Sequence, residues 1–153
     1  MKKSFFISLL ILCLLVANTV VFATENKTNV GLSTIKPYES EITISGTKVP
    51  TSTWNIATEG IYEFAGQAAY ETLYTEYLIT GKTSYDISVY NKKGYLDYLN
   101  IEVFKKKFGF DESLKTQSIQ GQTTKNFSVS NLKTSDKIYI AFYVPVHANG
   151  SIK

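Results

Sequence analysis

The chain has one cysteine, one histidine and no arginine, and each shortage excludes a class of protein. The single cysteine, Cys13, lies in an apolar N-terminal run, so the rest of the chain has no thiol for a disulfide or for cysteine-ligated zinc. His147 alone does not make a multi-histidine metal site, and no Gly-x-Ser-x-Gly motif supplies a nucleophile beside it. These absences predict a protein that is not an enzyme and that carries no cofactor and no metal ligands of these kinds.

Positive charge comes from lysine alone. The 16 lysines face 13 acidic residues, which gives a net charge of +3. Arginine is the usual residue for two-point contacts with phosphate and guanine, and a near-neutral chain without it is a poor candidate for nucleic-acid binding. We therefore predict no nucleic-acid partner. The abundance of lysine, asparagine, isoleucine and tyrosine in the absence of arginine also indicates an AT-rich genome, such as that of a low-GC Gram-positive bacterium.

The first 23 residues predict the compartment. Lys2 and Lys3 precede an almost entirely apolar run over residues 5–17, and residues 21–23 (Val-Phe-Ala) place small side chains at the −3 and −1 positions of a cleavage site. This is the layout of a secretory signal peptide, and its apolar run is short for a membrane span. We expect residues 1–23 to be removed, leaving an extracellular protein with no transmembrane segment.

Two alternatives to simple cleavage stay open at this point. A lipoprotein would be cut before Cys13, but Leu12 stands where such a site needs a small residue. A retained N-terminal anchor is the other alternative, because the apolar run is within a few residues of spanning length. Residues 24–36 are polar and aperiodic, which predicts a flexible lead-in.

The segment from 37 to 153 shows the pattern of an antiparallel sheet. Apolar and polar residues alternate over short stretches that end at glycine, asparagine or proline. A helix over residues 68–78 is an alternative for one stretch, but its tyrosines and threonines favour a strand. The predicted strands centre on residues 42–44, 62–64, 73–80, 85–89, 99–103, 127–129, 138–144 and 151–152. We predict one all-β domain over residues 37–153, an antiparallel two-sheet β-sandwich (jelly-roll or immunoglobulin-like) of about eight strands.

Tyrosine gives the main functional indication. Alternation assigns Tyr90, Tyr98, Tyr139 and Tyr143 to the sides of their strands opposite the apolar residues. If these strands share a sheet, the four rings form an exposed surface suited to stacking against sugar rings. Cross-strand pairing on a half-exposed face is the structural alternative. Trp54 is a further candidate for stacking, with a buried core position as its alternative.

A second candidate contact surface is the run over residues 105–110. Lys105, Lys106 and Lys107 precede Phe108 and Phe110 there. Charge and two apolar rings together suit an anionic cell wall or membrane surface. The structural alternative is a solvated turn or an edge strand whose lysines prevent sheet-to-sheet pairing.

We expect a secreted, non-catalytic binding module for carbohydrate or for the bacterial surface. Its partner would be a glycan, a cell-envelope component or an extracellular protein. An adhesin-like or matrix-like interaction domain is the alternative. A glycosidase that works with two carboxylates is a third interpretation, because that chemistry needs neither histidine nor cysteine. A calcium ion held by loop oxygens also stays open.

Overall fold

The computed structural model describes residues 31–33 and 52–153. The predicted signal peptide and the predicted strand at residues 42–44 lie outside these ranges. The described elements, in chain order, are β1 (Leu32–Ser33), β2 (Thr53–Asn55), α1 (Ile56–Glu59), β3 (Tyr62–Ala68), β4 (Leu73–Thr75), β5 (Leu78–Thr80), β6 (Tyr85–Asn91), β7 (Tyr98–Lys105), β8 (Glu112–Gln120), β9 (Thr124–Val129), β10 (Ile138–Phe142) and β11 (Val146–Ile152).

These strands form two sheets that pack face to face. In the first sheet, β8, β7 and β10 lie side by side, and β4 and β5 both pair with β10. Strand β1 pairs with β4, and β2 pairs with β5 in the only parallel pairing among the described strands. The second sheet has the order β3-β11-β6-β9 and is antiparallel throughout. The prediction of an all-β two-sheet sandwich is confirmed, and the choice between jelly-roll and immunoglobulin-like topology stays a prediction.

The core lies between the sheets, and in several strands it is built from alternate residues. On β7, for example, Leu99, Ile101 and Val103 are fully buried. The rings of Phe64 and Phe142 meet across the two sheets with centroids 5.2 Å apart. Apolar burial of this kind, at about 1.5–3 kcal/mol per large side chain, is the main force that holds a domain without disulfides together.

One predicted strand is divided in two. Both ends of the predicted strand over residues 73–80 are extended, but β4 and β5 are separated at Glu76 and Tyr77. The buried hydroxyl of Tyr62 accepts a hydrogen bond from the Glu76 amide at 3.0 Å and donates one to the Gly31 carbonyl at 3.1 Å. At this point the Tyr62 side chain, rather than the backbone of a neighbouring strand, binds the Glu76 amide. Residues 32–33, which fall in the predicted lead-in, form β1.

The loops between the strands gather at the two ends of the sandwich. The register places residues 69–72, 92–97, 121–123 and 143–145 at one end, which we call the Tyr98 end. The loops over residues 81–84, 106–111 and 130–137, with α1, lie at the other end, which we call the Lys105 end. No helix in the described part of the chain is long and apolar enough to cross a membrane.

Candidate functional site

The four candidate tyrosines do not form one surface. Tyr90 lies on β6 in the second sheet, paired with Asn149 and Thr124. The other three, Tyr98, Tyr139 and Tyr143, belong to β7, β10 and the residue after β10, in the first sheet. The condition for one surface, that the four strands share a sheet, is therefore not met for Tyr90, because β6 pairs with β9 and β11 rather than with β7.

Tyr139 faces away from the core, as alternation predicts, but it is fully buried. Its ring stacks on Phe104 with centroids 5.3 Å apart, and it lies 6.3 Å from the Tyr74 ring. Its hydroxyl donates a hydrogen bond of 2.7 Å to Asp111 Oδ2. The expectation of an exposed Tyr139 is wrong because aromatic side chains and the β7–β8 loop cover this part of the outer face.

Trp54 is also buried, so its assignment as a ligand-stacking residue is wrong. Its indole N–H donates to the Gly60 carbonyl at 3.0 Å, and its ring packs against Tyr62 and Tyr77 at 6.0 and 5.7 Å. A buried tryptophan with a satisfied N–H has the properties of a core anchor.

The remaining two tyrosines, Tyr98 and Tyr143, are exposed on the outer face of the first sheet. Tyr98 is 56% exposed and Tyr143 is 36% exposed. The Tyr143 amide donates to the Asn100 carbonyl at 2.9 Å, so Tyr143 lies opposite Asn100 and diagonal to Tyr98. Diagonal neighbours in antiparallel strands are about 7–8 Å apart. The two rings therefore lie close enough to contact one extended ligand.

Uncharged polar side chains lie beside these rings on the same side of the sheet. Tyr98 pairs with Gln120, and Asn100 pairs with the exposed Ser118, so all of them share one side of the sheet. We call Tyr98, Asn100, Ser118, Gln120 and Tyr143 the tyrosine face. Amide and hydroxyl groups beside exposed rings offer both donors and acceptors, which is the combination that sugar hydroxyls require.

Glu102 fixes the orientation of Tyr143. The Tyr143 hydroxyl donates to Glu102 Oε2 at 2.7 Å, and the Ser113 hydroxyl donates to Glu102 Oε1. Burial, and then the hydrogen bond to this carboxylate and its charge, raises the pKa of Tyr143 to about 12. The hydrogen bond to Glu102 thus holds the Tyr143 ring in one orientation on the sheet.

The neighbouring loop over residues 92–97 is fixed to β8. Gln120 Nε2 donates to the Tyr95 carbonyl at 3.1 Å, and the Gly121 amide donates to the Asp97 carbonyl at 2.7 Å. A Cβ at Gly121 would lie 1.8 Å from the Gly94 carbonyl oxygen, so this approach requires glycine. The loop presents Tyr95 and Leu96, both exposed, beside the tyrosine face.

Sequence reasoning missed the polar part of this face. Alternation on β7 was sufficient to find Asn100, which shares a side with Tyr98. Strand β8 has only two apolar residues, Leu114 and Ile119, so the sequence pattern did not predict it as a strand. Ser118 and Gln120 could therefore not be assigned to this face.

Two open grooves lie on the outer face of the second sheet. One has a volume of about 480 Å³ and includes Asp86, Ser88 and Asn126, and the other has about 410 Å³ and includes Glu63 and Asn149. The Asn149 Oδ1 atom is buried and has no hydrogen-bond partner within the described residues. Phe64 and Phe127, the rings in these linings, pack against the core. The grooves therefore offer hydrogen-bonding groups without an aromatic platform.

The three lysines of the second candidate surface are all paired with carboxylates. The Lys105–Asp136, Lys106–Asp111 and Lys107–Glu112 pairs have N–O distances of 2.7, 3.3 and 2.7 Å. The lysine neighbours lower the pKa of Asp136 and of Glu112. Phe108 and Phe110 are fully exposed between these pairs. The run over residues 105–110 thus connects β7 to β8, with its lysine charges offset by carboxylates and its two phenylalanine rings exposed.

No group of three or more His, Cys, Asp or Glu side chains suited to a metal ion occurs in residues 31–33 and 52–153. No protein-family model matches the chain, and no curated protein is significantly similar to it. The function must therefore be argued from the surfaces described above.

Proposed function

We propose that this protein is an exported, non-catalytic binding module that binds an uncharged glycan through the tyrosine face. The observation that carries the proposal is the position of Tyr98 and Tyr143, two exposed rings on one side of a sheet among amide and hydroxyl groups. Sugar rings stack their C–H faces on aromatic rings, and their hydroxyls bind to such polar groups.

Preorganisation supports the assignment. Tyr143 is held by Glu102, and the loop carrying Tyr95 is held by Gln120. A surface that is ordered before binding loses little conformational entropy when the ligand arrives, so a modest contact area gives useful affinity.

The carboxylates support a binding role rather than glycoside hydrolysis. Hydrolysis by carboxylates requires two of them facing one another across a cleft. Each of the two described grooves has one carboxylate in its lining, Asp86 in one and Glu63 in the other. Asp86 is occupied by a hydrogen bond from Ser128 Oγ at 2.6 Å.

The test is a glycan array followed by titration of the best ligand. Changing Tyr98→Ala removes one stacking ring, at a cost of about 1.5–3 kcal/mol, so we expect affinity to fall about tenfold or more. Tyr90→Ala is the matched control, because it removes a tyrosine from the outer face of the other sheet and should leave affinity unchanged. Binding should also vary little with salt concentration, since no ion pair is involved.

Three outcomes would contradict the proposal. Loss of binding in Tyr90→Ala, with Tyr98→Ala normal, would place the ligand on the second sheet. A folded protein that binds no glycan, together with an extracellular protein partner, would favour the interaction-domain interpretation. Turnover of a glycan that is lost in Asp86→Asn or Glu63→Gln would show an enzyme.

A further inference from the structure

The loop between β7 and β8 carries the two most exposed phenylalanines of the described chain. Phe108 is 108% exposed and Phe110 is 96% exposed, so neither ring is buried against the domain. Gly109 between them has a positive φ of 87°, and nothing lies within 4 Å of the position of a Cβ there. We call Phe108, Gly109 and Phe110 the Phe tip. It is a convex apolar projection and not the wall of a groove.

The base of this loop is fixed although its tip is exposed. The Asp111 carboxylate, only 3% exposed, accepts hydrogen bonds from the Lys107 amide at 3.1 Å and from the Tyr139 hydroxyl at 2.7 Å. It also pairs with Lys106, while Lys107 pairs with Glu112. Because the loop is already ordered, presenting two rings to a partner costs little additional entropy.

The Lys105 end of the sandwich, around the Phe tip, has an excess of positive charge. Six lysines and four acidic residues lie in α1 and in residues 81–84, 105–112 and 130–137. The lysines are Lys82, Lys105, Lys106, Lys107, Lys133 and Lys137, and the acids are Glu59, Asp111, Glu112 and Asp136. Asp136, Asp111 and Glu112 offset the charges of Lys105, Lys106 and Lys107, so the excess of two positive charges comes from Lys82, Lys133 and Lys137 against Glu59. A positive excess around an apolar projection is complementary to an anionic lipid bilayer, which attracts lysines at the headgroups and accepts apolar rings below them.

We propose that the Phe tip inserts into an anionic lipid bilayer, with the lysines of the Lys105 end at the headgroup level. A convex tip needs a partner that closes around it, and a fluid bilayer does so without a preformed pocket. The inference is independent of glycan binding, because Tyr98 and Lys105 lie at opposite ends of β7. At about 3.3 Å per residue the two ends are about 23 Å apart.

The first test is sedimentation of the secreted protein, from which residues 1–23 are expected to be absent, with vesicles of phosphatidylglycerol and phosphatidylcholine. We expect binding that is weaker on phosphatidylcholine alone and weaker at high salt, since exposed charges are screened. Phe108→Ala with Phe110→Ala should reduce partitioning about tenfold or more. The matched control is Tyr70→Ala with Leu96→Ala, which removes two equally exposed apolar side chains at the Tyr98 end and should leave partitioning unchanged. Absence of binding by the unaltered protein, or equal binding by the two double variants, would overturn the proposal.

A second measurement reads the tip directly. Phe108→Trp places a fluorophore in the tip, while the native Trp54 is buried in the core and should not respond to vesicles. Insertion predicts a blue shift of the added fluorescence when vesicles are mixed in. A sedimenting protein with no shift would show that another segment binds the lipid. Capture of a soluble protein by the tip without any vesicle binding would also overturn the proposal. In either case Tyr98→Ala would still test glycan binding separately.

Discussion

Replacing Tyr139 with phenylalanine should destabilise the fold although only one oxygen atom is removed. That hydroxyl donates a hydrogen bond of 2.7 Å to Asp111, whose side chain is only 3% exposed. Hydrogen bonds to charged groups contribute about 1.5–3 kcal/mol net, and a buried acceptor that loses its donor keeps its desolvation cost. We therefore expect Tyr139→Phe to lower the free energy of unfolding by about 1.5–3 kcal/mol, a large part of a typical total of about 5–15 kcal/mol.

Removal of the whole Tyr139 side chain should cost more. Tyr139→Ala also deletes a buried ring that stacks on Phe104 and contacts Tyr74. Truncating a buried aromatic residue to alanine costs about 3–5 kcal/mol before the hydrogen bond is included. Tyr98→Ala is the matched control, since exposed positions usually change stability by less than about 0.5 kcal/mol.

Urea denaturation at neutral pH, followed by the fluorescence of the buried Trp54, measures the free energy of unfolding of each variant. A double-mutant cycle with Asp111→Asn isolates the contact, and we expect a coupling energy of at least about 1 kcal/mol between Tyr139→Phe and Asp111→Asn. The reasoning is refuted if Tyr139→Phe unfolds within about 0.5 kcal/mol of the unaltered protein. It is also refuted if Tyr98→Ala is the more destabilised tyrosine variant.

Three further predictions concern the tyrosine face and the protein's tyrosines. Gly121→Ala should lower the free energy of unfolding, measured in urea, by about 1–3 kcal/mol and weaken glycan binding, because a Cβ there meets the Gly94 backbone. Gly94→Ala is the control, since a Cβ at Gly94 meets only the Asp97 side chain at 3.2 Å. Equal stability of the two variants would contradict the argument. Between about pH 10 and pH 12 stability, measured by urea denaturation, should fall as pH rises, because the unfolded chain loses the protons of Tyr143 and of the buried Tyr62 and Tyr85 while the folded protein keeps them. Glu102→Gln should lower the pKa of Tyr143 without returning it to its ordinary value, since burial is the larger cause of the shift. Ultraviolet titration of the tyrosines, with Tyr143→Phe used to identify the Tyr143 signal, measures this pKa. An unchanged pKa in Glu102→Gln would contradict the prediction.

Alternation of apolar and polar residues predicted much of the fold. It located the strands that became β3, β6, β7, β9 and β10, and it assigned Tyr98 and Tyr139 to the correct side of their strands. The reason is physical, since side chains point to opposite faces with a period of two whenever one face is buried. Strand β8 escaped detection because it lies at the edge of its sheet, and a register shift in its pairing with β7 between Val103 and Phe104 interrupts the pattern.

Alternation along a strand predicts which side of the sheet a residue occupies. It does not predict which other residues cover that side. Tyr139 and Tyr98 both face outward, yet one is fully buried and the other is 56% exposed. The difference comes from Asp111 and Phe104, which reach Tyr139 through tertiary contacts. Which strands share a sheet is also a tertiary property, so Tyr90 could not be separated from Tyr98 by reading the chain.

Asp111 shows why the covered tyrosine and the exposed phenylalanines belong to one arrangement. Its carboxylate receives the Tyr139 hydroxyl on one side and holds the Lys106–Lys107 segment of the loop on the other. The contact that covers Tyr139 therefore also orders the base of the Phe tip. Tyr98 and Tyr143 lie toward the opposite end of the same sheet, where Glu102 and Gln120 hold the aromatic residues in place. Each end is thus ordered by its own polar contacts, which is why variants at one end should leave binding at the other unchanged.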